Sequence, residues 1–496
     1  MKDSAPSLSA FNGTSKHRMR HQFYNELPAP GRGASPGFTR IFAAESIFVV
    51  VIFVAIIFQL DAFIWLYSGG GIYTMPESAA AGVHLYSVAR ECVSLAIVIY
   101  LYLNKTILRL IYLSWPMTIL AGYFLLSAAW SDYPTDSLRG FMSFAIQIAL
   151  GFACCAGADD NAAIKRLKFV AVGLVAINFA FCLAFPALAT GAVGYAQVYQ
   201  GSWHGMFPGK NGLGECVALC VTLMLAGAVR EGRVRLTFAA AASLVAAVGL
   251  VALSQSATGV ATCAIAFVVF VVQFGVIRRA PVAVRVAIVS FIATAAIFGV
   301  AFADAIGELV ASLLGRDPTF TGRTFLWDFA LKMGDLRPIL GYGFTGFWQP
   351  HVGPEGDLTK IGLWVVGEAH NGFVESYLFG GVIGLTLTVG LFAYLIGKSV
   401  LALLQRPGDP RTFFAFCVTL QILAQNLAES HFPNQGELAG TLLTVAIIFL
   451  QRAPGNRRPR PGQDRDWRTA APSIGGPDGA STFERVEIGD QAIETR

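Results

Sequence analysis

Long apolar stretches recur along most of this chain and constrain its fold more than any other feature. Each has about 17 to 25 residues, the length an α-helix needs to cross the roughly 30 Å hydrocarbon core of a bilayer. In lipid only helices and closed barrels satisfy all their backbone hydrogen bonds. We therefore predict an all-α, polytopic membrane protein with about 12 transmembrane helices. The predicted spans are 43–66, 85–103, 110–130, 138–156, 169–189, 213–229, 236–253, 257–277, 284–303, 372–396, 412–428 and 437–451.

The composition agrees with a bilayer environment and excludes an ordinary soluble protein. Hydrophobic residues make up 55% of the chain and charged residues only 14%, whereas roughly a quarter of the residues in soluble proteins are charged. The mean hydropathy is +0.58. All eight cysteines fall within predicted spans, and none has partners at zinc-ligand spacing. We therefore expect neither a structural disulfide nor a metal site.

The distribution of Lys and Arg residues sets the predicted orientation. Basic residues in short loops resist translocation and so mark the cytoplasmic side. With the N-terminus inside, most of the 36 Lys and Arg residues fall on that side. We predict a multi-pass inner-membrane protein of a bacterium, with both termini cytoplasmic. The net charge of +5 follows mainly from this topology, and we infer no nucleic-acid binding from it.

The same pattern divides the chain into three regions. Residues 1–40 form a polar, basic arm, and residues 452–496 form a tail rich in Pro, Gly and charge. We expect both to be disordered and cytoplasmic, because they carry no apolar periodicity. Residues 41–451 form the transmembrane domain. Its one large outward loop, 304–371, is predicted to be periplasmic, and long loops of this kind are usually functional.

The periplasmic loop 304–371 is predicted to contain short helices. Apolar residues recur at helical spacing after Thr321 until Pro338 ends the pattern. Arg323 lies near the start of this helix, where a guanidinium and free backbone amides can jointly hold a phosphate. A solvated surface arginine is the competing interpretation. For Lys210, before the sixth span, the alternatives are anion binding and anchoring of the helix at the lipid headgroups.

A histidine at the end of this loop is the candidate catalytic residue. His370 belongs to the sequence Glu-Ala-His-Asn-Gly at 368–372, where the loop meets the tenth predicted span. An imidazole with an ordinary pKa of about 6.5 can accept a proton from a hydroxyl near neutral pH. The alternative is that His370 and Asn371 only cap the following helix, and spacing alone favours that interpretation.

Ionisable residues also lie within or beside the predicted spans, where lipid disfavours charge. Such groups usually face a cavity or a charged partner. Arg139 lies near the outer surface and can line a pocket. Glu429 follows the eleventh span on the same predicted side.

Several segments together resemble the bacterial superfamily of O-antigen ligases and Wzy-type polysaccharide polymerases. The most specific is His370-Asn371, followed after nine residues by Gly381 and, two residues later, by Gly384. The resemblance covers roughly 110–436, and the layout is most similar to exopolysaccharide polymerases of the succinoglycan type. The other matching pieces are Trp203 to Gly205 with Lys210-Asn211, the turn Leu253-Ser254-Gln255-Ser256, Gly322-Arg323 to Trp327, and Pro338 with Leu340, Gly341, Tyr342 and Gly343.

The resemblance implies a membrane glycosyltransferase that works at the periplasmic face on an oligosaccharide carried by undecaprenyl diphosphate. His370 would deprotonate or orient the acceptor hydroxyl, and the attack would invert the anomeric carbon. Arg323 and Lys210, with Arg139, would hold the diphosphate. No metal or other cofactor is expected, since positive side chains take the role of the cation. The candidate substrate-binding residues are Arg323, Lys210, Arg139, Asn371, Trp203 and Glu429.

Several functions remain open at this point. A polymerase joins repeat units into exopolysaccharide, whereas an O-antigen ligase transfers a finished glycan to lipid A core, and both break the same kind of bond. A transporter or flippase of lipid-linked sugars and a structural subunit of a secretion complex are alternatives of other classes. Beyond the bilayer and the lipid-linked oligosaccharide, chain-length regulators and export proteins are the expected partners.

Overall fold

The computed structural model describes only part of the 496-residue chain. The arm 1–40, the tail after Arg452, and 304–322 and 349–366 of the predicted periplasmic loop lie outside the described residues. The described residues are 49–57, 92–93, 95–102, 107–156, 160–190, 201–230, 233–288, 290, 323–348, 367–434 and 438–452.

Helices dominate the described residues. Two-residue strands β1 and β2 pair antiparallel, with Val229 opposite Val234. Helical segments bordered by undescribed residues lie at 49–57, Leu95–Tyr102 and 282–288. The remaining elements are α1 Ile107–Leu113, α2 Trp115–Ser127, α3 Pro134–Cys155, α4 Asp160–Ala184, α5 Pro186–Ala189, α6 Lys210–Ala228, β1 Val229–Arg230, β2 Arg233–Val234, α7 Phe238–Ser254, α8 Ala257–Val271 with a π-helical continuation Val272–Ile277, α9 Arg323–Gly334, α10 Gly372–Gln405, α11 Pro410–Asn426 and α12 Ala439–Gln451.

The lengths and apolar character of these helices fit a multi-pass membrane protein. Among the described residues, five helices are long and apolar enough to cross a bilayer: α3, α4, α6, α8 with its continuation, and α10. Helices α2, α7 and α12 are apolar but shorter. The all-α membrane fold is therefore confirmed for this part of the chain. The total of about 12 spans and the side of the membrane on which each loop lies remain predictions.

One predicted span is divided in the structure. The sequence predicts an uninterrupted helix over 110–130, but the chain forms α1, a turn at Ser114 and then α2. Pro116 lies in the first turn of α2 and has no backbone N–H to donate to the preceding turn. The length of an apolar stretch indicates that it can span the membrane, but it does not show whether the helix is broken within it.

Helix α6 lies at the centre of one group of helices and packs against α4, α7, α8 and α11. Its contact with α8 is close because Gly214 and Gly259 face each other: a Cβ added at Gly259 would lie 2.8 Å from the Gly214 backbone. Small residues at a crossing let two membrane helices approach in this way. The packing places α6 beside α11, and Asn211 in its first turn donates a hydrogen bond to Glu429 in the segment that follows α11.

Helix α10 is interrupted at Gly381, where φ is 60° and ψ is −159°. The segment after α9 docks onto this break: Val382 donates its backbone N–H to Pro338 O at 2.8 Å, and Tyr342 donates to Leu378 O at 2.8 Å. A Cβ at Gly381 would lie 2.3 Å from the Ile339 carbonyl. The first glycine of the His-Asn-x9-Gly-x2-Gly pattern is therefore required by this contact, which fastens α9 beside the start of α10.

Candidate active site

His370 lies in a tight turn immediately before α10. Its φ is 51°, in the left-handed region, which costs a non-glycine residue roughly 1–2 kcal/mol. The next residue, Asn371, caps the helix, since its side-chain oxygen accepts hydrogen bonds from the backbone N–H groups of Phe373 (3.0 Å) and Val374 (3.2 Å). The capping interpretation therefore holds for Asn371, whereas the imidazole of His370 has other partners.

Two carboxylates face the Nδ1 atom of His370. Glu429 Oε2 lies 2.6 Å away and Glu368 Oε1 lies 3.1 Å away. Carboxylate oxygens of ionised side chains only accept hydrogen bonds, so Nδ1 must be the donor. Fixing the proton on Nδ1 leaves Nε2 as the ring nitrogen that can meet a substrate. Catalytic histidines are commonly oriented in this way by a carboxylate.

Glu429 is the point where four segments of the chain meet. It lies in the segment after α11 and is only 8% exposed. Its Oε1 atom accepts from Arg323 Nη2 of α9 at 2.7 Å and from Asn211 Nδ2 of α6 at 2.7 Å, while Oε2 meets His370. Arg323 also donates to the backbone oxygen of Ala428. A buried carboxylate is stable only with partners of this kind.

The charges of this cluster shift both central pKa values. Burial lowers the pKa of His370, but the hydrogen bonds and negative charges of Glu368 and Glu429 outweigh it and raise the pKa to about 10. Burial alone would raise the pKa of Glu429, yet His370 and Arg323 hold it below its ordinary value. The resting site is therefore an imidazolium and a guanidinium paired with two carboxylates, and loss of the His370 proton leaves it with one net negative charge.

The same cluster has atoms that could ligate a metal. One ligand atom each from Glu368, His370 and Glu429 lies within 4.8 Å of the others. Arg323, however, already holds Oε1 of Glu429 at 2.7 Å, and its fixed positive charge would repel a cation placed beside it. The cluster is better explained as a charge-paired acid–base site.

Comparisons with known proteins agree with the superfamily resemblance seen in the motifs. Residues 216–389 match the family described as O-antigen ligase. The chain is also 28% identical, over 312 residues, to "Exopolysaccharide production protein ExoQ" of Rhizobium meliloti (strain 1021), covering 60% of this chain and 68% of that protein. The superfamily resemblance derived from the motifs is thereby confirmed.

The matched O-antigen ligase region contains Arg323, His370 and the glycine of the α10 break, whereas Asn211 and Glu429 lie outside it. The Asn211 side chain nevertheless donates a hydrogen bond directly to the Glu429 carboxylate. The His370 cluster is therefore completed by residues on both sides of the matched region.

The structure brings together some of the predicted site residues and not others. Lys210 is the first residue of α6 and the neighbour of Asn211. Arg139, on α3, pairs with Asp136 at 3.5 Å, and its side chain is 69% exposed. Trp203 forms a β-bridge with Thr190. No contact among the described residues joins Arg139 or Trp203 to the cluster, so their role in substrate binding stays a prediction.

Three functional candidates were not assigned a role from the sequence: Asn211, Glu368 and Glu375. Asn211 directly follows the predicted residue Lys210, and Glu368 lies two positions before His370. Their positions in the sequence could therefore have indicated that they belong to the site. The pairing of Asn211 with Glu429 spans 218 positions, and nothing in a single sequence signals such a contact. Glu375 is one of the ionisable residues in the predicted spans for which a cavity or a partner is expected, but its place in the first turn of a helix, where a negative charge interacts favourably with the helix dipole, indicates no particular role.

Proposed function

We propose that this protein is an exopolysaccharide polymerase, which joins undecaprenyl-diphosphate-linked oligosaccharide repeat units at the periplasmic face of the inner membrane. The reaction is an inverting glycosyl transfer that uses no metal. The observation that carries the proposal is the His370–Glu429 pair, held by Arg323, in a chain whose residues 216–389 match the O-antigen ligase family. The name of the Rhizobium meliloti relative favours exopolysaccharide as the product.

His370 acts as the base in this reaction. Its Nε2 atom takes the proton of the acceptor hydroxyl, and the hydroxyl oxygen forms a bond to the anomeric carbon of the donor. The bond from that carbon to the phosphate oxygen breaks at the opposite face, and the diphosphate leaves with the electron pair. Glu429 stabilises the imidazolium that results, as a carboxylate beside a catalytic histidine does.

The leaving diphosphate needs positive charge where its own negative charge develops, because preorganised charge of that kind contributes much of the catalysis. Arg323 and Lys210, with Arg139, are the proposed contacts. Arg323 keeps N–H donors beyond the two bonds it makes to Glu429 and Ala428, since a guanidinium has five. Trp203 and Asn371 remain proposed contacts of the substrate.

Reconstitution with a lipid-linked repeat unit tests the reaction. Purified protein in vesicles of bacterial phospholipid, with EDTA present, is expected to convert undecaprenyl-diphosphate-linked repeat units into a ladder of longer glycans, resolved by gel electrophoresis. Vesicles without protein serve as the control. Transfer only after addition of lipid A core would identify a ligase. Translocation of the donor without lengthening would identify a flippase, and loss of the ladder in EDTA would contradict a metal-free mechanism.

The pH dependence of this assay follows from the raised pKa of His370. A base with a pKa raised to about 10 holds its proton at neutral pH, so the reactive neutral form increases as the pH rises. We expect the initial rate to rise about ten-fold per pH unit between pH 7 and 9. A rate that stays flat or falls over this range would contradict the base role.

A further inference from the structure

Glu375 is a buried carboxylate that the proposed reaction does not use. It lies in the first turn of α10 and is 1% exposed. Its oxygens accept hydrogen bonds from the indole N–H of Trp348 at 2.9 and 3.0 Å, from the backbone N–H of Ala369 at 2.5 Å, and from the Ser430 hydroxyl at 3.4 Å. Each of these donors belongs to a different segment around His370.

The partners of Glu375 flank both members of the proposed catalytic pair. Ala369 directly precedes His370, and Ser430 directly follows Glu429. Ser430 also accepts a hydrogen bond from the Asn371 backbone N–H at 3.1 Å. The residues on both sides of His370 are therefore fastened through their backbone N–H groups, Ala369 to Glu375 and Asn371 to Ser430.

This fastening matters because His370 has a left-handed backbone conformation. A strained residue keeps such a φ only when its surroundings determine it from several sides. On the opposite side, Trp327 donates its indole N–H to the Ala369 carbonyl at 2.9 Å. Ala369 is thus held at its backbone N–H by Glu375 and at its carbonyl by Trp327. Without these bonds the turn could relax and move the His370 imidazole away from Glu429.

We propose that Glu375 is a positioning residue that holds the His370 turn and the Glu429 segment together, so that Nδ1 of His370 meets the Glu429 carboxylate. This inference rests on the proposed function, in which His370 is the base. A carboxylate suits the role because it accepts from three donors at once. A glutamine amide would set its own N–H groups against the indole N–H of Trp348.

Kinetics of matched variants test the role of Glu375. Glu375→Gln is expected to lower kcat about 10- to 100-fold, because small displacements of a catalytic group are costly, while KM for the lipid-linked donor changes less than about 3-fold. The rising limb of the pH profile is expected to move to lower pH, since His370 loses part of its contact with Glu429. Ser430→Ala removes the second link without removing a charge, and is expected to act in the same direction with a smaller effect.

The controls separate this role from a general effect on folding. Tyr394 lies in the second half of α10, and its hydroxyl accepts a hydrogen bond from Gln451. Tyr394→Phe removes that bond and is expected to leave kcat, KM and the pH profile unchanged. Should Glu375→Gln fail to fold, Ser430→Ala carries the test alone. The positioning role alone would be overturned if His370→Ala is inactive while Ser430→Ala, and Glu375→Gln if it folds, keep the wild-type kcat and pH profile. Full activity of His370→Ala would overturn the proposed function and this role together.

Discussion

Replacing His370 with alanine is expected to abolish long polymer in the native host while the protein remains in the membrane. Repeat-unit lipid intermediates should accumulate, since the donor is still made but no longer extended. General base catalysis contributes about 10²- to 10⁴-fold, so a loss of at least about 100-fold in the reconstituted rate is expected. Polymer length is measured by gel electrophoresis, and the lipid intermediates are measured by mass spectrometry of extracted lipids.

The effect of His370→Ala must be separated from a loss of protein. Tyr394→Phe, in the second half of α10, is the matched control. It is expected to keep both the polymer length and the amount of protein in the membrane. His370→Ala removes a ring that contacts carboxylates and leaves the Asn371 cap of α10 in place, so the helix itself should persist. Polymer of wild-type length in the His370→Ala strain would remove this residue from the mechanism.

The sequence predicts well what local physics determines. The periodicity after Thr321 indicates a helix, and the structure has α9 from Arg323 to Gly334. The junction at 368–372 is predicted as a helix start, and Asn371 caps α10 there. Helix length, apolar periodicity and capping depend on residues a few positions apart, so a single sequence contains them.

Contacts over long separations are not readable in the same way. His370 and Glu429 are 59 positions apart, and Arg323 and Glu429 are 106 positions apart. The sequence indicates that Glu429 needs a partner, but it does not indicate which one. The break of α10 at Gly381 is equally hidden, because an apolar stretch with glycines reads as a continuous span until the docking segment at 338–343 is known.

These long-range contacts explain why the site has a carboxylate at its centre. Glu429 carries bonds from α6, α9 and the His370 turn, so the same side chain sets the pKa of the imidazole and fastens the helices that frame it. Removing one partner of a buried ion pair leaves the other charge without compensation, which costs about 3–5 kcal/mol. Stability and chemistry are therefore coupled at Glu429, and an experiment must separate them.

Glu429→Gln is expected to lower the reconstituted rate by about 100-fold or more, because the imidazolium formed in the reaction loses its paired negative charge. The melting temperature should fall as well, since the partly buried Arg323 then lacks its charged partner. In the double variant Arg323→Gln/Glu429→Gln, both charges are removed. We expect it to regain part of the lost melting temperature while the rate stays at least as low as in Glu429→Gln, because Arg323 is also a proposed contact of the diphosphate.

A surface pair on the same helix as Arg323 provides the matched control for these variants. Lys332 and Asp328 are both well exposed and 2.6 Å apart, and exposed pairs contribute about 0–1 kcal/mol. Lys332→Ala should therefore change neither the rate nor the melting temperature measurably. A double variant that recovers the rate together with the melting temperature would show that Glu429 acts only on stability. A rate in Glu429→Gln that equals the wild-type rate would mean that the imidazole does not need this carboxylate, and the acid–base pair would no longer explain the reaction.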